Sequence, residues 1–168
     1  MRTEDKEQLL AALADGQKVL LDALANVTEE PAARAPAPDR WSILQCVEHL
    51  AVSEAYLLSQ VAAAQFSESA AANPAREARI LSRGADRTRP MPAPEVGRPP
   101  GRCSSLAQAV EQFMETRRRT VQFVEGCHED LRQQLAVHPL LGPMNSYEML
   151  LMIAVHPKRH AGQIEEIK

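Results

Sequence analysis

Aromatic residues are scarce in this chain: Phe, Trp and Tyr together make up 4% of its 168 residues, although 45% are hydrophobic. Ala, Leu and Val supply most of the apolar content, which favours helices over sheets. Cys46, Cys103 and Cys127 are too few, odd in number and too scattered for a disulfide framework or a paired-cysteine metal site. Their plain reading is reduced thiols. There is no basic surplus either. A formal net charge of −3 and a pI near 6.0 leave no electrostatic footprint for nucleic acid or an anionic membrane. No apolar run approaches the length of a membrane span, and Met1 is followed by a charged, polar stretch instead of a signal core. A cytosolic protein is expected. Alternation long enough to build a sheet is missing, as is any internal repeat.

Helical periodicity is what remains. A chain of this length suits one domain, here 1–168, and can bury roughly two-thirds of its unfolded surface. Thr3 is placed to cap a first helix whose stripe is Leu9, Leu13, Leu20, Leu24 and Val27, with Gly16 weakening its middle. Pro31, Pro36 and Pro38 then form a stiff connector. Ser42 and Gln45 make a capping box for a second helix, with Trp41 as the staple residue before it. Ile43, Val47, Leu50, Leu57 and Val61 give that helix its stripe.

Residues 73 to 103 hold Pro90, Pro92, Pro94, Pro99 and Pro100 and read as a long crossover, with a short helix around Ala75–Leu81. A third helix starts at Ser104 or Ser105, carries Leu106, Val110, Phe113, Val121 and Val124, and ends at Gly126. Its run Arg117-Arg118-Arg119 reads as a solvated face. Leu131 and Leu135 fall in a turn or irregular segment, and His138-Pro139 with Gly142-Pro143 in a turn-rich connector. Asn145 or Ser146 caps a last helix with Glu148 in its first turn. The pattern predicts an all-α four-helix bundle with one long crossover between helices two and three.

The last helix presents Met149, Ile153, His156, His160, Ile164 and Ile167 on one face. His156 and His160 stand one turn apart, a spacing at which two imidazoles can hold one first-row metal ion. The segment His156-Pro157-Lys158-Arg159-His160 lacks the glutamate of a metalloprotease helix, so that chemistry is excluded. Two polar residues at a bundle contact are the plain alternative. His49 on the second helix is a third candidate, and bundle sites draw ligands from facing helices. One histidine from helix two and two from helix four would leave open positions for water or substrate. Cys46 is an alternative ligand, though a small buried hydrophobe is its simpler reading. His138, before a proline, and His128, after the Gly126 stop, read as structural or solvent-facing. Pro157 removes a helix hydrogen bond and predicts a kink or widening between Ile153 and His156.

Taken together, Trp41-Ser42-Ile43 leading to Glu48-His49-Leu50, then Gly142-Pro143 to Tyr147, Leu150-Leu151, and His156 and His160 followed by Gln163-Ile164, resemble the DinB-like superfamily of bacterial four-helix metal proteins. The resemblance runs from the first helix through the last, the Pro-rich crossover matching least. It implies an up-down-down-up arrangement, homodimers formed through bundle faces, and a nickel or zinc site on His49, His156 and His160. Pro157 departs from it, since a helix-compatible residue is usual there. Some members transfer bacillithiol or isomerise with mycothiol, while many have no assigned reaction.

Two functions follow. One is a metal-dependent enzyme, a low-molecular-weight-thiol S-transferase or a hydrolase, in which the metal activates a thiol or water. The other is a non-enzymatic stress-response or binding bundle whose metal is structural or absent. No general base stands out, because Glu48 points to a different helix face from His49. Arg89, Arg98 and Arg159 are candidates to receive an acidic substrate, with surface charge as the simpler reading. The partners expected are a small substrate or thiol and a second copy, with neither nucleic acid nor membrane.

Overall fold

The structure, a computed structural model, describes residues 1–88 and 91–168. Arg89, one of the candidate anion-binding residues, lies outside the described residues. Four long helices form the bundle: α1 (Thr3–Leu24), α3 (Ile43–Ala62), α5 (Leu106–Gly126) and α6 (Ser146–Ile167). Two short ones, α2 (Glu29–Ala33) and α4 (Pro74–Arg83), lie in the connections. Around the bundle α1 packs on α6, α6 on α3, α3 on α5, and α5 back on α1.

The helix starts follow local chemistry. Ser42 and Gln45 form the expected capping box on α3, and Asn145 and Glu148 form another on α6. Ser105 caps α5 by accepting from the Gln108 amide. The first helix differs. Arg2 occupies its cap position without a side-chain cap bond, and Thr3 is already helical. Arg2 instead pairs with Asp5. At the other end of α1, Asn26 takes a φ of 66°, the left-handed conformation that closes a helix.

Gly16 is a packing site more than a weak point. A Cβ there would lie 2.0 Å from the Ala154 carbonyl oxygen, so the missing side chain lets α1 and α6 touch backbone to backbone. Leu9, Leu13 and Leu20 on the same helix are fully buried. Each such leucine contributes about 1.5–3 kcal/mol by leaving water.

A small sheet stands where connectors were expected. β2 (Gln134–His138) and β3 (Gly142–Asn145) form an antiparallel hairpin, and β1 (Gln65–Phe66) pairs with the outer edge of β2. Strands of two, five and four residues are too short to show alternation, and Gln65 meets Leu135 only in three dimensions. Gly142 closes the hairpin at a φ of +74°.

Arg117 does not lie on a solvated face. It is 1% exposed and sits where all four helices meet. Its guanidinium pairs with Glu54 on α3 at 2.8 Å and donates to the carbonyls of Leu13 on α1 and Ile153 on α6. Thr120 donates to the other Glu54 oxygen. Ile153 is the residue whose carbonyl Pro157 leaves without a helical donor, so the arginine fills that deficit. The α6 helix runs without interruption through Pro157. Arg118 and Arg119 are exposed and pair with Glu115, as a solvated face requires.

The crossover contains α4, two residues longer at its C-terminal end than the sequence suggests, and a 3-10 turn at Glu95–Gly97. It runs back over the α3–α6 side of the bundle. Gly84, just after α4, abuts Val155 of α6, and Gly97 abuts His49 and Ser53 of α3. Among the described residues no helix is long and apolar enough to cross a membrane.

Candidate metal centre

Helices α3 and α6 face one another, and each delivers part of the site. The i,i+4 spacing stacks His156 and His160 on α6. The α3 stripe turns His49 toward them. His156 Nε2 lies 3.2 Å from His49 Nε2 and 3.0 Å from His160 Nε2. Candidate ligand atoms of the three residues all lie within 4.8 Å of one another, and the group could hold a metal ion. The three sequence candidates are thus brought together.

The rest of the shell is specific to His49. Its Nδ1–H donates to the Gly97 carbonyl on the crossover, and Ser53 Oγ, one helical turn on, lies 3.1 Å from the same nitrogen. With the proton held on Nδ1, Nε2 carries a bare lone pair aimed at the other two rings. Trp41 packs over the group, its ring centroid 4.7 Å from His49 and 6.4 Å from His160.

Protons alone satisfy this arrangement poorly. His49 Nε2 can only accept, and a single His156 Nε2–H cannot make full bonds to both neighbours. If His160 donates to His156 instead, two lone pairs face each other across 3.2 Å. His160 Nδ1 is also buried without a hydrogen-bond partner among the described residues. A cation among the three nitrogens resolves the conflict. Metal–nitrogen bonds of about 2.0–2.1 Å at angles between octahedral and tetrahedral hold nitrogens about 2.9–3.4 Å apart, in keeping with the two contacts of His156, while His49 and His160 lie within 4.8 Å of each other.

Burial pushes the pKa of all three imidazoles down, those of His156 and His160 well below the usual histidine value. For His156 and His160, the neighbouring imidazoles and Arg159 add to the effect, whereas the Gly97 bond opposes it at His49. The neutral form so favoured is the one that binds metal.

The site opens on a cleft of about 1680 Å³ between α3, α4, α6, the crossover and the β2–β3 hairpin. His138 lines it, with Nδ1 accepting from the amides of Leu140 and Leu141 in its own turn, so its proton resides on Nε2. Arg98 and Arg159 line the cleft as well, and Arg159 also donates to the Asp86 carbonyl.

Other candidates fall away from the site. Cys46 is fully buried, and burial pushes its thiol up to about 12, the behaviour of an inert core residue. His128 is exposed. Glu48 does face away from His49, and its role is one the sequence did not disclose. Its buried carboxylate accepts from the backbone amides of Gly101, Arg102 and Cys103 at 2.6–3.0 Å, fastening the end of the crossover. Ser53 could have been found from its i+4 spacing to His49; the Gly97 carbonyl had no sequence signal.

The family model described as the DinB superfamily matches residues 7–164. The chain belongs to the DinB superfamily. No curated protein and no solved structure matches it. In this DinB protein the matched span runs from near the start of α1 into the last turn of α6 and takes in the three histidines and the Pro-rich crossover that resembled the family least in sequence.

Proposed function

We propose that this DinB-superfamily protein is a metal-dependent enzyme acting on a small molecule, with His49, His156 and His160 as the ligands of a divalent ion, nickel or zinc. The observation that carries the reading is the convergence of three neutral imidazole nitrogens at the floor of an open cleft. A purely structural ion would be expected in a closed shell.

The bound ion would supply Lewis acidity, lowering the pKa of a thiol or water so that it reacts as a nucleophile near neutral pH. The chain's own residues do the rest. Gly97 and Ser53 fix the tautomer and the ring plane of His49. Trp41 keeps water from the covered side of His49 and His160. His138 is neutral, with its Nε2–H at the cleft wall, where it can donate a hydrogen bond to a bound substrate. The reaction class is thiol S-transfer or hydrolysis.

The test begins with metal content. Protein purified under zinc- or nickel-replete conditions should hold about one ion per chain, and His156→Ala should lose it while keeping its helical circular dichroism. A wild-type protein without stoichiometric metal refutes the ligand assignment. Turnover of thiol–electrophile pairs or ester and amide substrates should then vanish on chelation; turnover indifferent to chelation refutes the mechanism.

A further inference from the structure

The charge of the cleft runs against that of the chain. The protein as a whole carries 22 acidic residues against 19 basic ones. Among the described residues the cleft wall carries seven arginines, no lysine, and three carboxylates. Two of those carboxylates are already engaged: Glu166 pairs with Arg87, and Asp86 accepts from the Thr88 amide. The guanidinium groups of Arg40, Arg79, Arg83 and Arg98 make no hydrogen bond or ion pair among the described residues, although Arg83 feels the charge of Asp86 and Arg40 that of Glu166. Arg76, Arg79 and Arg83 follow one another at spacings of three and four, so they form a single stripe on α4. Arg76 at its base is anchored by the Pro143 carbonyl and Glu148, which leaves the outer two to face the cleft.

Apolar side chains collect at the same mouth. Of the seven large hydrophobic residues that remain exposed among the described residues, four line this cleft. Met91 and Val96 come from the crossover, and Leu140 and Leu141 from the hairpin. They are between 44% and 50% exposed. Exposed apolar groups gathered in one concave region mark a binding surface. A wall whose basic groups are arginines suits carboxylates and phosphates, which the guanidinium fork grips with two hydrogen bonds.

We infer that the cleft binds an amphipathic organic oxyanion, an apolar body ending in a carboxylate or phosphate, with Arg79 and Arg83 receiving the head group and the Leu140–Leu141 hairpin tip covering the body. The inference rests on the proposed function only in taking this ligand as the substrate; the binding itself requires no metal. Fixed positive charge in a concave, partly apolar site raises the local concentration of such an anion. A polynucleotide is a poor fit, because the basic groups line one cleft and the chain's net charge is negative.

Calorimetric titration of the full chain with octanoate, octyl phosphate and octanol tests this, in chelated and in zinc-loaded protein. Octanoate or octyl phosphate should bind about tenfold or more tightly than octanol at low salt, the advantage shrinking as salt rises. Whichever anion binds more tightly identifies the head group. Arg79→Ala with Arg83→Ala, both exposed on α4, should bring the anion down to the level of octanol. Leu140→Ser with Leu141→Ser should weaken all three ligands alike. The proposal is overturned if octanol matches the anions, if the arginine variant keeps wild-type affinity, if the anions bind only when zinc is present, or if folded protein binds neither anion at millimolar concentration. A protein that holds no metal yet binds octanoate through the arginines would refute the proposed function and leave this inference standing.

Discussion

Replacing Arg117 by methionine should be among the most damaging single changes outside the histidine site. The substitution keeps much of the apolar volume but leaves the Glu54 carboxylate, 3% exposed, without its cation. Breaking one partner from a buried pair costs about 3–5 kcal/mol. At about 2–4 °C per kcal/mol for a chain of this size, the melting temperature should fall by about 10 °C. Burial already pushes the Glu54 carboxyl up, against the pull of Arg117 and Thr120, so the unpaired residue will take up a proton and soften part of the loss. Adding Glu54→Leu should recover most of the stability, since Thr120 retains a second acceptor in the Thr116 carbonyl. The remaining deficit is the Ile153 carbonyl, which faces Pro157 and has lost its donor. An orphaned buried carbonyl costs about 1–3 kcal/mol. Pro157→Ala restores an amide there, so it should stabilise the double variant by about 1–2 kcal/mol more than it stabilises the wild type. Urea melts followed by far-ultraviolet circular dichroism measure every corner of this cycle. A loss below about 1 kcal/mol for Arg117→Met, or equal gains from Pro157→Ala in both backgrounds, would refute the reasoning.

Gly16→Ala should destabilise the fold despite alanine's helix propensity. The gain of up to about 1 kcal/mol is outweighed by overpacking of about 1–3 kcal/mol or more, because the new Cβ meets backbone that cannot rotate away; a rise in melting temperature would show that α1 and α6 are not in close contact. Asp5, whose carboxylate is hydrogen-bonded by Arg2 and Arg132, has a lowered folded pKa. Its contribution is therefore complete above the unfolded value near 3.8 and disappears as pH falls through the folded value. Asp5→Asn should cost about 1–2 kcal/mol at pH 7 and progressively less below pH 4, read from denaturant melts across that range; a cost independent of pH would exclude the ion pair as its source.

What the sequence disclosed was local. The Ser42–Gln45 and Asn145–Glu148 caps are formed within one turn, and the helix stripes follow from a period that neighbouring residues set. The family resemblance was carried by ordered motifs at α3, at the hairpin leading into α6, and on α6 itself. What it hid depends on pairings across the fold. The β2–β3 hairpin is local but its strands are too short to show alternation, and β1 joins its edge from about seventy residues away. Arg117 was obscured by its two exposed neighbours, yet a signal existed. It falls on the stripe between Phe113 and Val124, and Glu54 falls on the stripe between Leu50 and Leu57. One charge of each sign on two facing apolar stripes is the mark of a buried pair. The arginine-lined cleft was equally hidden, because its walls come from α4, the crossover and α6, which meet only in the folded chain.

Adjacent residues on α3 grip the crossover at two points: His49 at Gly97, and Glu48 at residues 101–103. That short stretch of crossover and the imidazole ring consequently behave as one mechanical part. Lifting the loop at this end would strip the histidine of the acceptor that sets its tautomer, so a molecule reaching the floor of the cleft would disturb the site least by passing along the hairpin and α4. The crossover side of the cleft is thereby clamped to the ring whose tautomer it sets.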